Sequence, residues 1–145
     1  MSNADDRDMI ILEGEIVSFL TVDEVIELHE DVIAEHSPGE SRAILNHGLL
    51  ESAVMTPQQS FGGELLCPTI EDMAAAYMAG LALNHSFENG NKRIALAVGS
   101  TFLRMNGYQL VLSQDEAEKL ILDLVTHIID REEAAVIIRN GMVLL

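Results

Sequence analysis

Residues 85–93, HSFENGNKR, gather a histidine, two asparagines, a glycine and two adjacent cations between two strongly apolar stretches. If a helix begins near Asn91, then Lys92 and Arg93 stand at its positive end, where each cation is disfavoured by roughly 0.3–1 kcal/mol and an anion is favoured. A helix emerging from Glu88-Asn89-Gly90-Asn91 offers several unpaired backbone N–H groups in its first turn, and Gly90 lets a ligand approach the backbone closely. Lys92 adds a point charge and Arg93 a planar fork, both suited to phosphate oxygens. His85 carries an imidazole that can take a proton from an attacking hydroxyl. A base, an anion cradle and charge neutralisation are the parts needed for phosphoryl or nucleotidyl transfer. The glycine spacing of a Walker loop is absent. Taken singly, each residue has a plainer role: a capping histidine, turn-forming asparagines, solvated cations, and Phe87 as the anchor that plugs the loop into the core. Their concentration within one loop between apolar helices is what points to chemistry.

The chain around this loop has 145 residues, 48% of them hydrophobic, which fits one domain with a core of its own. No apolar run reaches the roughly 18 residues of a membrane span. The start, MSNADDRD, is acidic and polar, which argues against a secretory signal. The single cysteine, Cys67, excludes an internal disulfide, suits a reducing cytoplasm, and is expected to pack as a small apolar residue. Eight basic residues stand against 24 acidic ones, a formal charge of −16, so nucleic acid and anionic membranes are poor partners and a basic protein face is a good one. Lys92 and Arg93 are two of those eight cations, a quarter of the positive charge in one dipeptide.

Several elements can position the loop. Residues 9–20 suggest a small hairpin or arm around Glu13-Gly14. Thr21 and Glu24 form a capping box for a helix through His36, with Val22, Val25, Ile26, Leu28, Val32 and Ile33 on its apolar face. HGLLESAVM supplies a shorter helix closed by Thr56-Pro57, and QQSFGGELLCP reads as a loop. Thr69 and Asp72 open a core helix, IEDMAAAYMAGLALNH, apolar nearly all round. A second internal helix follows the loop and closes at Asn106-Gly107, with a brief extended piece over 108–112. Ser113 with Glu116 caps an amphipathic helix through Ile129, and a last helix runs from about Arg131 to Asn140. The expected fold is all-α, with residues 1–18 as a partly disordered or extended arm and 19–145 as a helical domain.

HSFENGNKR resembles the signature of the Fic/Doc superfamily, H-x-F-x-[DEN]-[AG]-N-[GK]-R, through His85, Phe87, Asn89, Gly90, Asn91, Lys92 and Arg93. Lys92 before Arg93 is similar to the death-on-curing (Doc) branch; the AMP-transferring Fic branch carries Gly there and a second Arg where this chain has Leu96. The similarity extends over roughly residues 19–140, although residues 40–47, ESRAILNH, depart from the usual turn. The resemblance implies a compact bundle of six to seven helices with minor extended segments, and a cytoplasmic toxin paired with a cognate antitoxin. It implies transfer of the ATP γ-phosphate to a threonine of elongation factor Tu, arresting translation. His85 is then the general base, and Gly90, Asn91, Lys92 and Arg93 hold nucleotide phosphates. Asn89 stands where the family ordinarily has an acidic ligand for Mg²⁺. An amide oxygen is neutral where a hard dication prefers a carboxylate.

The same residues leave two alternatives: AMP transfer to a protein hydroxyl, and a non-catalytic protein that still grips an antitoxin. The autoinhibitory pattern [ST]-x-x-x-E-[GN] is missing, because Met9 and Asn84 stand at the positions required before Glu13-Gly14 and Glu88-Asn89. Restraint is therefore expected from a separate antitoxin. The five histidines have no zinc-like spacing.

Overall fold

The computed structural model describes residues 9–145. Its hub is helix α3 (Ile70–Leu83), in which nine residues between Met73 and Ala82 are buried. Small side chains explain how so many neighbours reach it. A Cβ at Gly80 would lie 3.0 Å from that of Ala53 in α2 (His47–Met55), and a Cβ at Gly99 in α4 (Asn91–Met105) would lie 2.3 Å from Met78 Cε. Helix α3 thus packs against α2 and α4, and also against α5 (Gln114–Val125) and α6 (Arg131–Gly141). The long α3–α4 contact aligns the buried α3 with one face of α4, and the polar loop joins them at one end. Helix α4 is amphipathic rather than the internal helix expected, with Ile94, Ala95, Val98, Gly99, Phe102 and Leu103 buried. Among the described residues no helix is long and apolar enough to cross a membrane.

Helix α1 (Val22–His36) covers α4 with a stripe of Val25, His29 and Ile33, spaced by four residues. Its expected capping box is present: Thr21 Oγ1 accepts the Glu24 N–H at 3.1 Å, and the Glu24 carboxylate accepts the Thr21 N–H at 2.9 Å. One step upstream, the Leu20 N–H donates to the buried Tyr77 hydroxyl at 3.0 Å, fastening the entry of α1 to the middle of α3. Burial raises the Tyr77 phenol well above its ordinary range, so it stays a neutral acceptor.

Six α-helices agree with the expected all-α bundle, and the differences lie at the connections. The arm is a hairpin of β1 (Ile11–Leu12) and β2 (Glu15–Ile16), turning on Glu13 and Gly14, both at positive φ; residues 1–8 of the expected arm lie outside the described residues. Asn106 ties that arm to α4 by accepting the Ser18 N–H at 2.8 Å and donating to the Ser18 carbonyl at 2.9 Å. It is not itself left-handed; Gly107, at φ 89°, makes the reversal. Pro57 does not end α2 abruptly, because the chain runs on through a 3-10 turn over Thr56–Gln58 with Thr56 still helical. The expected loop after it is a second hairpin, β3 (Ser60–Phe61) with β4 (Glu64–Leu65), since Gly62 and Gly63 both take the positive φ that a two-residue turn needs. Helix α5 stops at Val125 rather than Ile129, as the chain reverses at His127 (φ 59°) and the Asp123 carbonyl takes the N–H groups of Ile128 and Ile129. Finally, the apolar end of the chain forms β6 (Met142–Leu144), antiparallel to β5 (Tyr108–Leu110), a pairing invisible to local pattern.

Tyr77→Phe should leave the Leu20 N–H buried without an acceptor and destabilise the fold by about 1–3 kcal/mol. Urea unfolding checks this; an unchanged midpoint would show that the clamp contributes nothing.

Candidate active site

Helix α3 ends at Leu83, and Asn84 closes it by donating from Nδ2 to the Leu49 carbonyl of α2 at 3.2 Å. The next residue, His85, lies exposed at φ 49°. Left-handed backbone is uncommon for a residue with a Cβ, costs of order 1–3 kcal/mol, and clusters at functional sites. Phe87 then turns inward and is 1% exposed, while Glu88 stays outside. The Asn91 amide holds this reversal shut: its Oδ1 accepts the Phe87 N–H at 3.1 Å and its Nδ2 donates to the Phe87 carbonyl at 2.8 Å. The side chain expected on a phosphate is therefore committed to the loop, and Asn91 has its own N–H to offer an anion.

A strap from Ser41 to Asn46 runs antiparallel to the loop. The Leu45 and Asn46 N–H groups donate to the Ser86 carbonyl, the Glu88 N–H donates to the Ala43 carbonyl, and Ile44 bridges to Phe87. Asn89 adds a side-chain bond from Nδ2 to the Ser41 carbonyl at 3.2 Å. The Ser86 hydroxyl, fully buried between these backbone bonds, has no partner among the described residues.

Gly90 starts α4 at φ 78°, and a Cβ there would meet Ile33 Cδ1 at 3.1 Å. The first bond of the helix runs from the Ile94 N–H to the Gly90 carbonyl at 2.9 Å. The N–H groups of Asn91, Lys92 and Arg93 are thus the orphan donors of a first turn. Lys92 and Arg93 are exposed and form no ion pair among the described residues. No acidic side chain occupies that first turn. Donors, partial positive charge and two cations with no ion pair among the described residues share this first turn.

The expected residues thus divide by task. Gly90 caps the start of α4, Lys92 and Arg93 stand exposed on its first turn, His85 stands exposed at the start of the loop, Phe87 anchors it, and Asn91 braces it. Asn89 does not supply a fitting Mg²⁺ site, since its amide nitrogen is spent on Ser41 and one neutral oxygen remains where the ion prefers carboxylates. Among the described residues no group of three or more His, Cys, Asp and Glu is placed to hold a metal. A cavity of about 760 Å³ lies elsewhere, between the β1–β2 hairpin, the start of α3 and the far end of α4. Its rim carries Glu13, Glu15 and Glu71 and no cation, so it is no anion cradle.

One site residue was not expected. His29 on α1 is 1% exposed, stacks on Phe87 with ring centroids 3.7 Å apart and planes 11° from parallel, and bonds through Nε2 to the Asn89 carbonyl at 2.8 Å. Its signal in the sequence was its position four residues after Val25 and four before Ile33, on the buried stripe.

A helical bundle whose two central helices are joined by this loop defines a class of protein, and the chain belongs to it: the Fic/DOC family, whose model matches residues 19–103. That span covers α1 to α4, all the elements that build the site. Over 110 residues the chain is 38% identical to the Toxin Doc of Mycolicibacterium smegmatis (strain ATCC 700084 / mc(2)155), covering 73% of this chain and 85% of that protein. Members of the family are transferases and generally use ATP.

Burial holds the His29 imidazole below the ordinary histidine value; its bond to Asn89 and the Glu30 charge oppose this, and the Arg42 charge assists it. A folded-state value below the unfolded one means that the unfolded chain takes up its proton first, so stability is lost as pH falls through that window. The unfolding midpoint should fall between about pH 7 and pH 5, and fall less in His29→Phe. Identical pH dependence in the two proteins would contradict the assignment.

Proposed function

We propose that this chain is a Doc-type toxin that transfers the γ-phosphate of ATP to a hydroxyl of a protein target, such as elongation factor Tu, and so arrests translation. The observation that carries this reading is the start of α4, where the first-turn N–H groups lack a helical acceptor and exposed Lys92 and Arg93 form no ion pair among the described residues, shortly after an exposed histidine at positive φ. His85 takes the proton of the acceptor hydroxyl as its oxygen attacks the γ-phosphorus. The new O–P bond forms while the bond to the β-phosphate oxygen breaks, and ADP leaves carrying the negative charge. The N–H groups of Gly90, Asn91 and Lys92, with the Lys92 and Arg93 side chains, hold the phosphates and spread that charge. The printed name of the relative, Toxin Doc, supports this choice within the family. It also supports a cognate antitoxin as partner in the cytoplasm, one whose basic face suits a chain of charge −16.

Asn89 favours a second reading, a site with weakened turnover that still grips an antitoxin. Induced expression separates the two: arrested growth supports the toxin, whereas harmless wild type beside a toxic Asn89→Asp supports impairment at the metal position.

Incubation with elongation factor Tu and ATP labelled at the γ-phosphate tests the chemistry. Label should appear on the target and fall by about 10²–10⁴-fold in His85→Ala, the range for loss of a general base. Label from the α-phosphate instead would establish AMP transfer, and no transfer above the mutant background would sink the enzymatic reading.

A further inference from the structure

The least constrained part of the anion site is its first peptide. Gly90 tolerates φ of either sign, so the backbone alone does not decide which way the Asn89–Gly90 peptide plane faces. Its two faces are chemically opposite. One presents the Gly90 N–H to an incoming anion and the other presents the Asn89 carbonyl, whose partial negative charge repels it. Rotation of this one plane therefore makes or destroys the first donor of the cradle.

We propose that His29 is a positioning residue that locks this peptide in the anion-binding sense, by holding the Asn89 carbonyl from the core side while its ring lies flat on Phe87. The inference rests on the phosphate-binding reading above and adds a residue from α1 to it. The peptides described are trans, so C=O and N–H of one plane point in opposite directions. With the Asn89 carbonyl bonded to His29 Nε2 at 2.8 Å, the Gly90 N–H points away from α1. It has no acceptor among the described residues. The ring itself cannot swing. Phe87 covers its face at 3.7 Å between centroids, its exposure is 1%, and a Cβ at Gly90 would come within 3.6 Å of Nε2. Because the carbonyl is an acceptor only, Nε2 must carry a proton. Neutral histidine in that tautomer meets the need without burying a charge.

Two substitutions divide the stack from the bond. His29→Phe keeps a ring on Phe87 and removes the donor, whereas His29→Gln keeps an N–H at similar reach. In the free proteins, the Gly90 amide resonance should move and broaden in His29→Phe and stay near its wild-type position in His29→Gln. Calorimetry with ADP should show His29→Phe binding about tenfold or more weakly, the loss of one hydrogen bond to a charged oxygen, and His29→Gln close to wild type. Transfer assays should show this loss in KM for ATP more than in kcat, a split that general loosening of the fold would not give. If His29→Phe binds ADP as wild type does with an unmoved Gly90 amide, the lock is disproved. If wild type binds no ADP while the Gly90 amide still responds to His29→Phe, the phosphate reading fails and the lock stands. Should His29→Phe not fold, His29→Met, apolar and without a donor, takes its place in every comparison.

Discussion

Backbone polar groups must find partners even where their neighbours are apolar, and residues 84–91 meet that constraint under unusual conditions. The loop joins two helices and lies outside both, so neither helix ladder satisfies it. Everything nearby is recruited instead: the Asn91 amide for Phe87, the 41–46 strap for Ser86 and Glu88, and His29 for Asn89. Buried Phe87 holds this arrangement against the core. The N–H groups at the start of α4 and the Ser86 hydroxyl have no partner among the described residues. The loop is therefore rigid where it touches the protein and unsatisfied where it meets solvent, which is how a preorganised anion site is built.

Charge sharpens the site. A net −16 repels ATP at a distance, but at physiological salt that field decays over a Debye length of about 8 Å. Within that distance of α4, Lys92, Arg93 and the helix dipole act at contact range and outweigh it. A diffuse negative surface with one cationic dipeptide would suit two kinds of recognition under the proposed function: phosphate at the loop, and a basic protein surface elsewhere.

Much of this was legible in the sequence because it is local. The Thr21–Glu24 box, the α3 interior and the HSFENGNKR loop are written in consecutive residues, and the structure has them at nearly the same bounds. What was not legible is long-range. The β5–β6 pairing depends on residues more than thirty positions apart. His29 looked like one more polar residue of α1 until Phe87, 58 positions away, came to lie on it. Asn91 illustrates a subtler limit: residue type and spacing mark it as part of the site, yet only geometry tells a phosphate ligand from a brace. The strap over 41–46, which departs from the family's usual turn, still pairs with the loop, because backbone pairing asks little of side-chain identity.

The central claim is that the start of α4 is a phosphate site completed by the Gly90 N–H. A crystal structure of the wild-type protein with ADP tests it most directly. The account predicts terminal phosphate oxygens on the N–H groups of Gly90 and Asn91, flanked by Lys92 and Arg93, with the Asn89 carbonyl still on His29. A nucleotide seated elsewhere, or an Asn89 carbonyl turned toward the phosphate, would contradict it.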